Sequence, residues 1–407
     1  MGLIVQKFGG SSVATAERIK RAAARVVRTK RAGNRVIVVV SARGDTTDEL
    51  IELAKEVSEE PPRREMDMLL STGEQQSVAL MAMAVDALGE KSISFAGAQI
   101  GVVTDSFHTK AKIKNIDPSR ILEALDNDKV AIVAGFQGID ENFNITTLGR
   151  GGSDTTAVAL AAVLKADVCE IFTDVDGVYT ADPRKVPDAR KIGRISYDEM
   201  LELASLGAQV MQARSIEFAK KYGVAIHVRS SFNDNEGTYI IAEAPEMENI
   251  VVSGVAVSKN EAKVTLRGIP DRPGVAATIL GAYAARNINV DMIVQNPSAA
   301  GITDMSLTVE RTDLAEAKKV AAAVLEDLGG QKTEFEENIA KLSVVGIGMR
   351  SHTGVAQKMF AALAAEGVNI KMISTSEIKI SVIIDAASAD KALVAVHQAF
   401  DLAKAPA

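Results

Sequence analysis

Short, continuously apolar runs alternate with longer amphipathic stretches over about the first 245 residues. Two of these runs, Val36–Val40 and Ala131–Ala134, contain no polar residue. Strands buried on both faces have this character, whereas a half-exposed strand alternates apolar and polar residues. The pattern predicts an α/β fold: a three-layer αβα sandwich around a mainly parallel sheet.

The same pattern locates the elements of this region. Predicted strands cover Leu3–Val5, Val36–Val40, Ser92–Phe95, Val102–Thr104, Val130–Ala134, Val168–Phe172 and Ala225–Val228. Predicted helices cover Thr15–Arg31, Asp48–Val57, Gln75–Leu88, Pro118–Leu125, Asp154–Leu164 and Ala208–Tyr222. Ligands of such folds bind outside the carboxyl ends of the strands. Lys7, Ser41, Gly135 and Thr173 stand at those ends and mark the expected edge of the site.

After Pro245 the character changes, and an internal repeat begins. Residues 268–293 align without gaps with residues 348–373, an offset of 80 residues. Each copy predicts a strand, a glycine turn, a helix, two strands and a second helix, a ferredoxin-like βαββαβ plan. Both keep a glycine before the helix (Gly274, Gly354) and an asparagine at the next strand (Asn289, Asn369). A pair of small-ligand sensors explains this better than a duplicated structural unit, which is the alternative. The predicted domains are 1–245, 260–335 and 340–407.

Composition limits the classes of function. A chain of 407 residues holds two or three domains, and a net charge of −7 with no basic face argues against nucleic acid as a partner. No apolar run approaches the roughly 20 residues that span a bilayer, so no membrane partner is expected. The single cysteine, Cys169, lies in an apolar run where a buried, inert thiol is expected. A reducing, cytoplasmic compartment is therefore predicted.

A first glycine-serine loop, Lys7–Ser12, follows the first predicted strand. Glycines at such a point let an anion approach the backbone amides, and Lys7 adds an ammonium group. A plain surface lysine is the alternative. The order differs from that of the P-loop, in which the lysine follows the glycines, and the dinucleotide and protein-kinase motifs are absent from the sequence.

A second loop, Gly149–Thr156, precedes an alanine-rich helix. Arg150 is a planar fork suited to a carboxylate, and Ser153 is the predicted N-cap. Asp154 is favourable in a first helical turn without any function, but its neighbours favour a place near a Mg²⁺-phosphate or a cationic group. Two anion-binding loops of this kind predict a site that joins a phosphate donor to an anionic acceptor.

Three further segments carry polar side chains that allow two interpretations each. Glu74, between two predicted helices, is either a capping or solvated residue or the partner of an α-ammonium group. Thr47 either stabilises a turn or contacts a ligand. The loop Phe172–Arg184 combines carboxylates, a tyrosine and an arginine, which suits a nucleotide; the rival calcium loop lacks the EF-hand spacing.

No histidine or cysteine occurs in these loops, which disfavours Ser-His and Cys-His nucleophiles and a zinc site. A substrate carboxylate needs neither. It is ionised at pH 7 and can attack a γ-phosphate without a general base. Such a reaction requires positive charge and alignment, which a lysine, an arginine and Mg²⁺ supply.

The ordered motifs resemble those of aspartate kinases, enzymes of the amino-acid kinase fold that phosphorylate the side-chain carboxylate of aspartate with ATP. The resemblance rests on Lys7–Ser12, Ser71–Glu74, Gly149–Asp154 and Thr173–Tyr179, and it covers essentially the whole chain. The tandem repeat looks like the two ACT domains by which such enzymes sense end-product amino acids. The resemblance implies the first step of lysine, threonine and methionine biosynthesis.

The resemblance also implies roles for individual residues. Lys7 would stabilise the transferring phosphoryl group, Asp154 would position Lys7 and the metal-bound ATP, and Arg150 would bind a carboxylate of aspartate, the α one. Further nucleotide contacts would come from Phe8, Gly9, Gly10, Ser41, Thr173, Asp174, Tyr179, Asp182, Arg184, Gln209 and Val210. Further aspartate contacts would come from Ser11, Thr47, Glu74, Gly151, Gly152 and Ser153. Mg²⁺ would be held through ATP, with no protein ligand assigned. Some relatives carry lysine in place of Gln209, which leaves a cationic contact there open.

For the effector sites the resemblance points to both repeats. The residues are Asp271, Pro273, Gly274, Val275, Ala276, Asn289, Val290, Asp291 and Gln295, then Ala356, Asn369, Ile370 and Ser376. Asp271 becomes Ser351 and Gln295 becomes Thr375 in the second copy, so the two pockets should differ.

Relatives of this layout are inhibited by lysine, threonine or both, and they assemble through their ACT domains. A homodimer and an α2β2 form are both open. Two alternatives to the main expectation remain. One is another carboxylate kinase of the same fold, acting on glutamate or acetylglutamate; the other is an amino-acid sensor with an inactive kinase domain.

Overall fold

The computed structural model describes residues 2–206, 210–244, 250–297 and 301–404. Its contacts divide the chain into two compact units. The first unit comprises residues 2–178, 191–205 and 210–244, and the second comprises residues 179–190, Leu206 and the described residues from 250 onward. The three predicted domain boundaries stay predictions.

The first unit is built on an eight-stranded sheet with a smaller sheet beside it. Its strands are β1 (Leu3–Phe8), β2 (Arg35–Val40), β3 (Ser92–Phe95), β4 (Val103–Thr104), β5 (Ile113–Asn115), β6 (Val130–Ala134), β7 (Gln137–Ile139), β8 (Ile145–Thr147), β9 (Val168–Thr173), β10 (Arg194–Ser196), β11 (Ile226–Ser230) and β12 (Thr238–Ile241). Its helices are α1 (Ala16–Arg31), α2 (Thr46–Val57), α3 (Arg63–Asp86), α4 (Ser119–Asp126), α5 (Gly152–Leu164), α6 (Tyr197–Ser205) and α7 (Ala213–Tyr222).

The large sheet has the order β10-β12-β11-β9-β1-β2-β6-β3. Among its neighbouring pairs, β11 with β12 is antiparallel and the others are parallel. Both strands predicted to be buried on both faces are buried in the structure, since every residue of Val36–Val40 and Val130–Ala134 is buried. The predicted parallel sandwich is confirmed, and its core strands end at one shared edge.

Helix α3 corrects the predicted start at Gln75, because it begins at Arg63 and contains Glu74 within its length. Ser71, Thr72 and Gly73 are poor helix formers, and their run resembles a loop. Packing overrides that propensity. A Cβ on Gly73 would lie 2.8 Å from the Cβ of Ala42, so a glycine lets α3 approach the end of β2 closely.

Two other predictions differ from the structure. The predicted helix Ala208–Tyr222 is shorter and begins at Ala213 as α7, preceded by the unpredicted α6. A four-stranded sheet of order β5-β4-β7-β8 also went largely unpredicted. Its strands have two or three residues each, too few for an alternating pattern to appear.

The second unit contains one six-stranded sheet of order β14-β15-β13-β16-β18-β17, antiparallel at every described pair. Its strands are β13 (Gly254–Pro270), β14 (Val290–Pro297), β15 (Ile302–Glu310), β16 (Lys332–Val345), β17 (Met372–Thr375) and β18 (Lys379–Asp385). Its helices are α8 (Val275–Ala285), α9 (Leu314–Leu328), α10 (Val355–Ala365) and α11 (Ala389–Ala399).

The two long strands β13 and β16 are shared between the repeats. The first repeat follows the predicted βαββαβ plan from the second half of β13 to the first half of β16. The second repeat runs from the second half of β16 to α11 without a final strand of its own. Gly254–Ser258, the first part of β13, takes that place by pairing with Lys341–Val345. The repeats are thus interlocked rather than consecutive.

Residues 179–190 also belong to the second unit. Ala181 and Val186 lie in the same hydrophobic core as α10 and α11. The Thr180 hydroxyl lies 3.0 Å from Nε2 of buried His397, and the Val255 amide donates to the Thr180 carbonyl at 2.8 Å. Burial lowers the pKa of His397, which keeps the imidazole neutral.

A buried ion cluster joins the two repeats. Lys341 Nζ lies 2.8 Å from Glu261 Oε1 and also binds Asp291, and the side chains of Lys341 and Glu261 are almost fully buried. Residues 261 and 341 are equivalent under the repeat, so one position carries opposite charges in the two copies. Removal of one partner would leave a buried, uncompensated charge.

We therefore expect Lys341→Ala to lower the free energy of unfolding by about 3 kcal/mol. The double variant Glu261→Gln with Lys341→Met should lose much less, because neither buried charge is then left alone. Denaturant unfolding of the three proteins measures the difference. Equal losses for the single and double variants would contradict this explanation.

Candidate active site

The carboxyl ends of four adjacent strands lie against one another. The Ser41 amide after β2 donates to the Phe8 carbonyl at 3.1 Å, and the Gly135 amide after β6 donates to the Val40 carbonyl at 3.0 Å. The Gly9 amide donates across to β9 at 3.2 Å. The residues that follow β9, β1, β2 and β6 therefore form one continuous edge, as the sequence predicted.

Lys7 and Asp154, from the two glycine loops, form an ion pair. Lys7 Nζ lies 2.7 Å from Asp154 Oδ1, and each side chain is only about one-tenth exposed. Alternation along β1 turns Gln6 and Phe8 toward α1 and Lys7 toward the first turn of α5. A Cβ on Gly9 would lie 3.5 Å from Lys7 Nζ, so the ammonium group lies above a bare backbone.

Close backbone approach explains several glycines of the edge. A Cβ on Gly10 would lie 2.9 Å from the Ala42 carbonyl oxygen, and one on Gly135 would lie 2.7 Å from Ser153. Phe8 is fully buried and stacked on Phe172 with ring centroids 4.8 Å apart, so it offers a ligand no side-chain surface.

The second loop corrects one prediction. Gly151, with φ of +72°, is the N-cap of α5, and Ser153 lies buried inside the first turn. A glycine at the cap leaves the first amides of α5 without a side-chain acceptor. Arg150 is exposed between Gly149 and Gly151, both in the left-handed region that favours glycine.

Glu74 is buried and only half satisfied. Its Oε1 accepts a hydrogen bond from the Ala42 amide at 3.1 Å, whereas Oε2 is buried and has no partner among the described residues. Burial raises the pKa of this carboxyl from 4.5 to about 7. A buried, unpartnered carboxylate oxygen next to the strand edge can bind a cation that carries hydrogen-bond donors, such as an ammonium group.

The structure places the other predicted substrate and nucleotide residues as follows. Ser11 lies in a short helical turn after β1, and Thr47 lies half-buried in the first turn of α2. Thr173, which ends β9, donates its hydroxyl to Asp174 at 3.0 Å. Val210 is half-buried. Gln209 lies outside the described residues.

Tyr179, Asp182 and Arg184 belong to the second unit, and their nucleotide roles stay predictions. Arg184 pairs with Asp182 through two hydrogen bonds of 3.0 and 2.9 Å, which hold the pKa of Asp182 below its usual value.

In the second repeat, a cavity of about 450 Å³ lies at the start of α10. Two predicted effector residues, Ala356 and Ser376, line it together with Thr375. In the first repeat, Gly274 at φ +95° is the N-cap of α8, as Gly354 at +87° is for α10. The retained glycines are therefore required by backbone geometry in both copies.

Several residues that the sequence pattern did not reveal hold these loops in place. Asp176 accepts hydrogen bonds from Asn233 and Asn235 at 2.6 and 3.0 Å, which ties the loop after β9 to the loop after β11. Asp67 and Arg214 hold the strand and loop ahead of Arg150. Asp67 stands seven residues before Glu74 on one helix, a spacing that becomes visible only once α3 is known to begin at Arg63.

Known families match the chain over most of its length. The model of the amino acid kinase family matches residues 2–230, and two models of ACT domains match residues 264–326 and 342–400. An aspartate kinase of Stutzerimonas stutzeri is 52% identical over 403 residues, which cover 99% of this chain and 98% of that protein.

Two solved structures of aspartokinase III from Escherichia coli, each 25% identical in sequence, have the same fold. The complex with aspartate and ADP, called the R-state, has a TM-score of 0.81 and covers 98% of this chain and 99% of that one. The complex with lysine and aspartate, called the T-state, has a TM-score of 0.75 and covers 97% and 99%. Among the described residues, none of the helices is both long and apolar enough to cross a membrane.

The raised pKa of Glu74 predicts a pH-dependent cost to stability. Because the folded-state pKa lies near 7 and the ordinary value is 4.5, the cost is absent below about pH 4.5 and complete above about pH 7. Glu74→Gln should therefore stabilise the unliganded protein by about 3 kcal/mol at pH 8, and most of this gain should vanish by pH 5.

Thermal or denaturant unfolding at both pH values measures the effect. Glu199→Gln is the matched control, because Glu199 is equally buried but its Oε2 accepts two hydrogen bonds from Ser196, at 3.0 and 2.7 Å. That variant should gain nothing at pH 8. A Glu74→Gln protein no more stable than its parent at pH 8 would refute the argument.

Proposed function

This chain belongs to the amino acid kinase family, in a form with two ACT domains, and we propose that it transfers the γ-phosphoryl group of ATP to the side-chain carboxylate of L-aspartate. The product is 4-phospho-L-aspartate. One observation carries the proposal: a single sheet edge presents a lysine ammonium above bare glycines and, beside them, a buried carboxylate with one unpartnered oxygen. Relatives about half identical over nearly the whole chain are aspartate kinases.

The reaction requires no proton transfer to the protein. An oxygen of the aspartate side-chain carboxylate forms a bond to the γ-phosphorus, and the bond from that phosphorus to the β–γ bridging oxygen breaks. ADP leaves with the electron pair. Since the attacking carboxylate is already ionised near pH 7, a strand edge built from lysine, glycine, serine and carboxylate residues is sufficient.

Repulsion between two anions is the main barrier that the site must lower. Lys7 neutralises charge on the transferring phosphoryl group, and Asp154 holds the ammonium at the start of α5 through their 2.7 Å ion pair. The amides of Gly9 and Gly10 and the uncapped first turn of α5 add partial positive charge.

At the aspartate end, Glu74 accepts the α-ammonium group and Arg150 binds the α-carboxylate. The ammonium group compensates the charge of the buried Glu74 carboxylate. The pKa of Glu74 therefore falls as substrate binds, and this carboxylate becomes fully ionised. Thr47, Ser11 and Ser153, with the backbone at Gly151 and Gly152, add hydrogen bonds. Ser41, Thr173, Asp174 and Val210 contribute to the nucleotide site.

Mg²⁺ would be held chiefly by the phosphates of ATP and by water, as is usual for this small cation. The described residues contain no group of three or more histidine, cysteine or acidic side chains arranged to hold a metal. We propose that the metal arrives with its nucleotide, beside Asp154, the ion-pair partner of Lys7. When bound, Mg²⁺ offsets phosphate charge in the transition state.

A hydroxamate assay with aspartate and MgATP tests the proposal. Lys7→Ala should lower kcat at least about 100-fold, because it removes preorganised charge from the developing transition state. Lys20→Ala, at an exposed position of α1, is the control and should keep full activity. Glutamate should be phosphorylated far less than aspartate. Failure of the parent protein to phosphorylate aspartate, or full activity of Lys7→Ala, would refute the function.

The ACT repeats make end-product inhibition the expected regulation. A structure of an E. coli relative contains lysine, and we extend lysine inhibition to this chain. Threonine, alone or with lysine, is the second proposed effector. Ser351 and Thr375 in the second repeat, in place of Asp271 and Gln295 in the first, give the two copies different ligand chemistry. A ligand inhibits only by its difference in affinity between active and inactive states.

Assays at subsaturating aspartate with lysine, threonine and both together should show inhibition by at least one mixture. Ser376→Phe, which fills the cavity of the second repeat, should weaken the response to one effector and leave basal turnover intact. No response to any mixture would remove the regulatory proposal. Assembly through the ACT domains, as a homodimer or α2β2, and a cytoplasmic location stay predictions.

A further inference from the structure

A fully buried carboxylate in α3 takes no part in the proposed reaction. Asp67 has no solvent exposure and accepts hydrogen bonds from three neighbours. The Thr147 hydroxyl donates at 2.6 Å, the Thr109 amide lies 3.0 and 3.1 Å from the two oxygens, and Nδ1 of His108 lies 2.7 Å away. Bonds of this kind to a carboxylate are strong, and they offset the cost of its burial.

These partners frame the loop that carries Arg150. Thr147 ends β8, three residues before Arg150. On the other side, a Cβ on Gly149 would lie 3.0 Å from the Thr109 carbonyl oxygen, so the Thr109 segment lies directly beneath the loop. Asp67 therefore joins the strand that leads into the loop to the segment that supports it.

A second clamp strengthens this arrangement. The Arg214 guanidinium donates to the carbonyls of Leu148 and Ala111, each at 2.8 Å. The Ala111 amide donates to the Thr147 carbonyl at 2.9 Å. Two segments far apart in sequence are thereby held side by side immediately before the loop.

The loop itself has little rigidity of its own. Arg150 is exposed and stands between two glycines, the residues with the greatest backbone freedom. Its position is therefore set by its anchors rather than by local preference. Loss or weakening of those anchoring hydrogen bonds would move the guanidinium relative to the ligand that it is proposed to bind.

Helix α3 also carries Glu74, seven residues after Asp67. Two helical turns separate the residues by about 10 Å along the axis and place them on the same buried face. One rigid element thus positions the proposed ammonium partner directly and the loop of the proposed carboxylate partner through Asp67.

We propose that Asp67 is a positioning residue for the amino-acid substrate: through Thr147 and Thr109 it fixes the Arg150 loop relative to Glu74. The inference rests on the proposed function, and it adds a residue that acts on aspartate affinity without touching aspartate. Lys7 and the ends of β1 and β9, at the nucleotide end of the site, take no part in the hydrogen bonds described for Asp67.

The test is a separate measurement of both Michaelis constants. Asp67→Asn keeps the shape of the side chain but presents an NH₂ group to donors that require an acceptor. We expect KM for aspartate to rise about tenfold, KM for ATP to stay within about twofold, and the folded fraction to remain sufficient for assay. Thr147→Val removes one anchor alone and should raise KM for aspartate by a smaller factor in the same direction.

Asp140→Asn is the matched control. Asp140 is also buried, lies in the turn between β7 and β8 of the same small sheet, and accepts the amides of Asn142 and Asn144, each at 2.9 Å. That turn is at the opposite end of β8 from the Arg150 loop, so the variant should lose stability without a selective change in KM for aspartate.

The outcomes separate this inference from the proposed function. A parent protein without aspartate-dependent turnover would refute the function. An active parent whose Asp67→Asn and Thr147→Val variants keep KM for aspartate, or raise both Michaelis constants equally, would overturn the positioning role. A selective rise in Asp140→Asn would do the same. If Asp67→Asn does not fold, Thr147→Val against Asp140→Asn decides the question.

Discussion

The ion pair between Lys7 and Asp154 is the constraint on which the rest of the site depends. Its two residues come from separate glycine loops, and its 2.7 Å distance requires the end of β1 and the start of α5 to stay in fixed register. Glycines at positions 10 and 135 permit close packing of this edge, because side chains there would collide with the Ala42 carbonyl oxygen or with Ser153. A single lysine, already paired, cannot neutralise two anions, so the proposed reaction also needs positive potential from the backbone amides, the α5 terminus, Arg150 and the Mg²⁺ of the nucleotide.

Helix α3 contributes a charge of the opposite sign, the buried carboxylate of Glu74. Burial of Glu74 costs the free protein stability near neutral pH, because one carboxylate oxygen has no partner there. The proposed α-ammonium partner would remove that cost, and the stability lost in the empty site would then return as affinity for the substrate. Asp67, equally buried, has its donors from the protein itself and is satisfied without a ligand. This contrast is why we assign a binding role to Glu74 and a supporting role to Asp67.

The sequence was sufficient for features that local patterns encode. Continuously apolar strands predicted the parallel sheet, glycine loops at strand ends predicted the shared edge, and the 80-residue offset predicted the paired repeats. Features that depend on distant packing escaped it. Ser71–Gly73 resembles a loop until Gly73 is seen against Ala42, and Asp67 resembles a surface residue until Thr147 and Thr109 converge on it. The exchange of Gly254–Ser258 into the second repeat has no local signal, because any apolar strand of that length pairs equally well.

The duplication itself shows why the two repeats are no longer interchangeable. Glu261 and Lys341 occupy equivalent positions in the two repeats, as do Asp291 and Lys371. At both positions the charge in one copy is therefore opposite to the charge in the other. A pair of identical repeats would place like charges together in the buried cluster, at a cost that no solvent could relieve. With the charges inverted, Lys341 finds Glu261 and Asp291, while Lys371 pairs with Glu336 at 2.7 Å. The contact between the repeats is therefore specific for unlike partners.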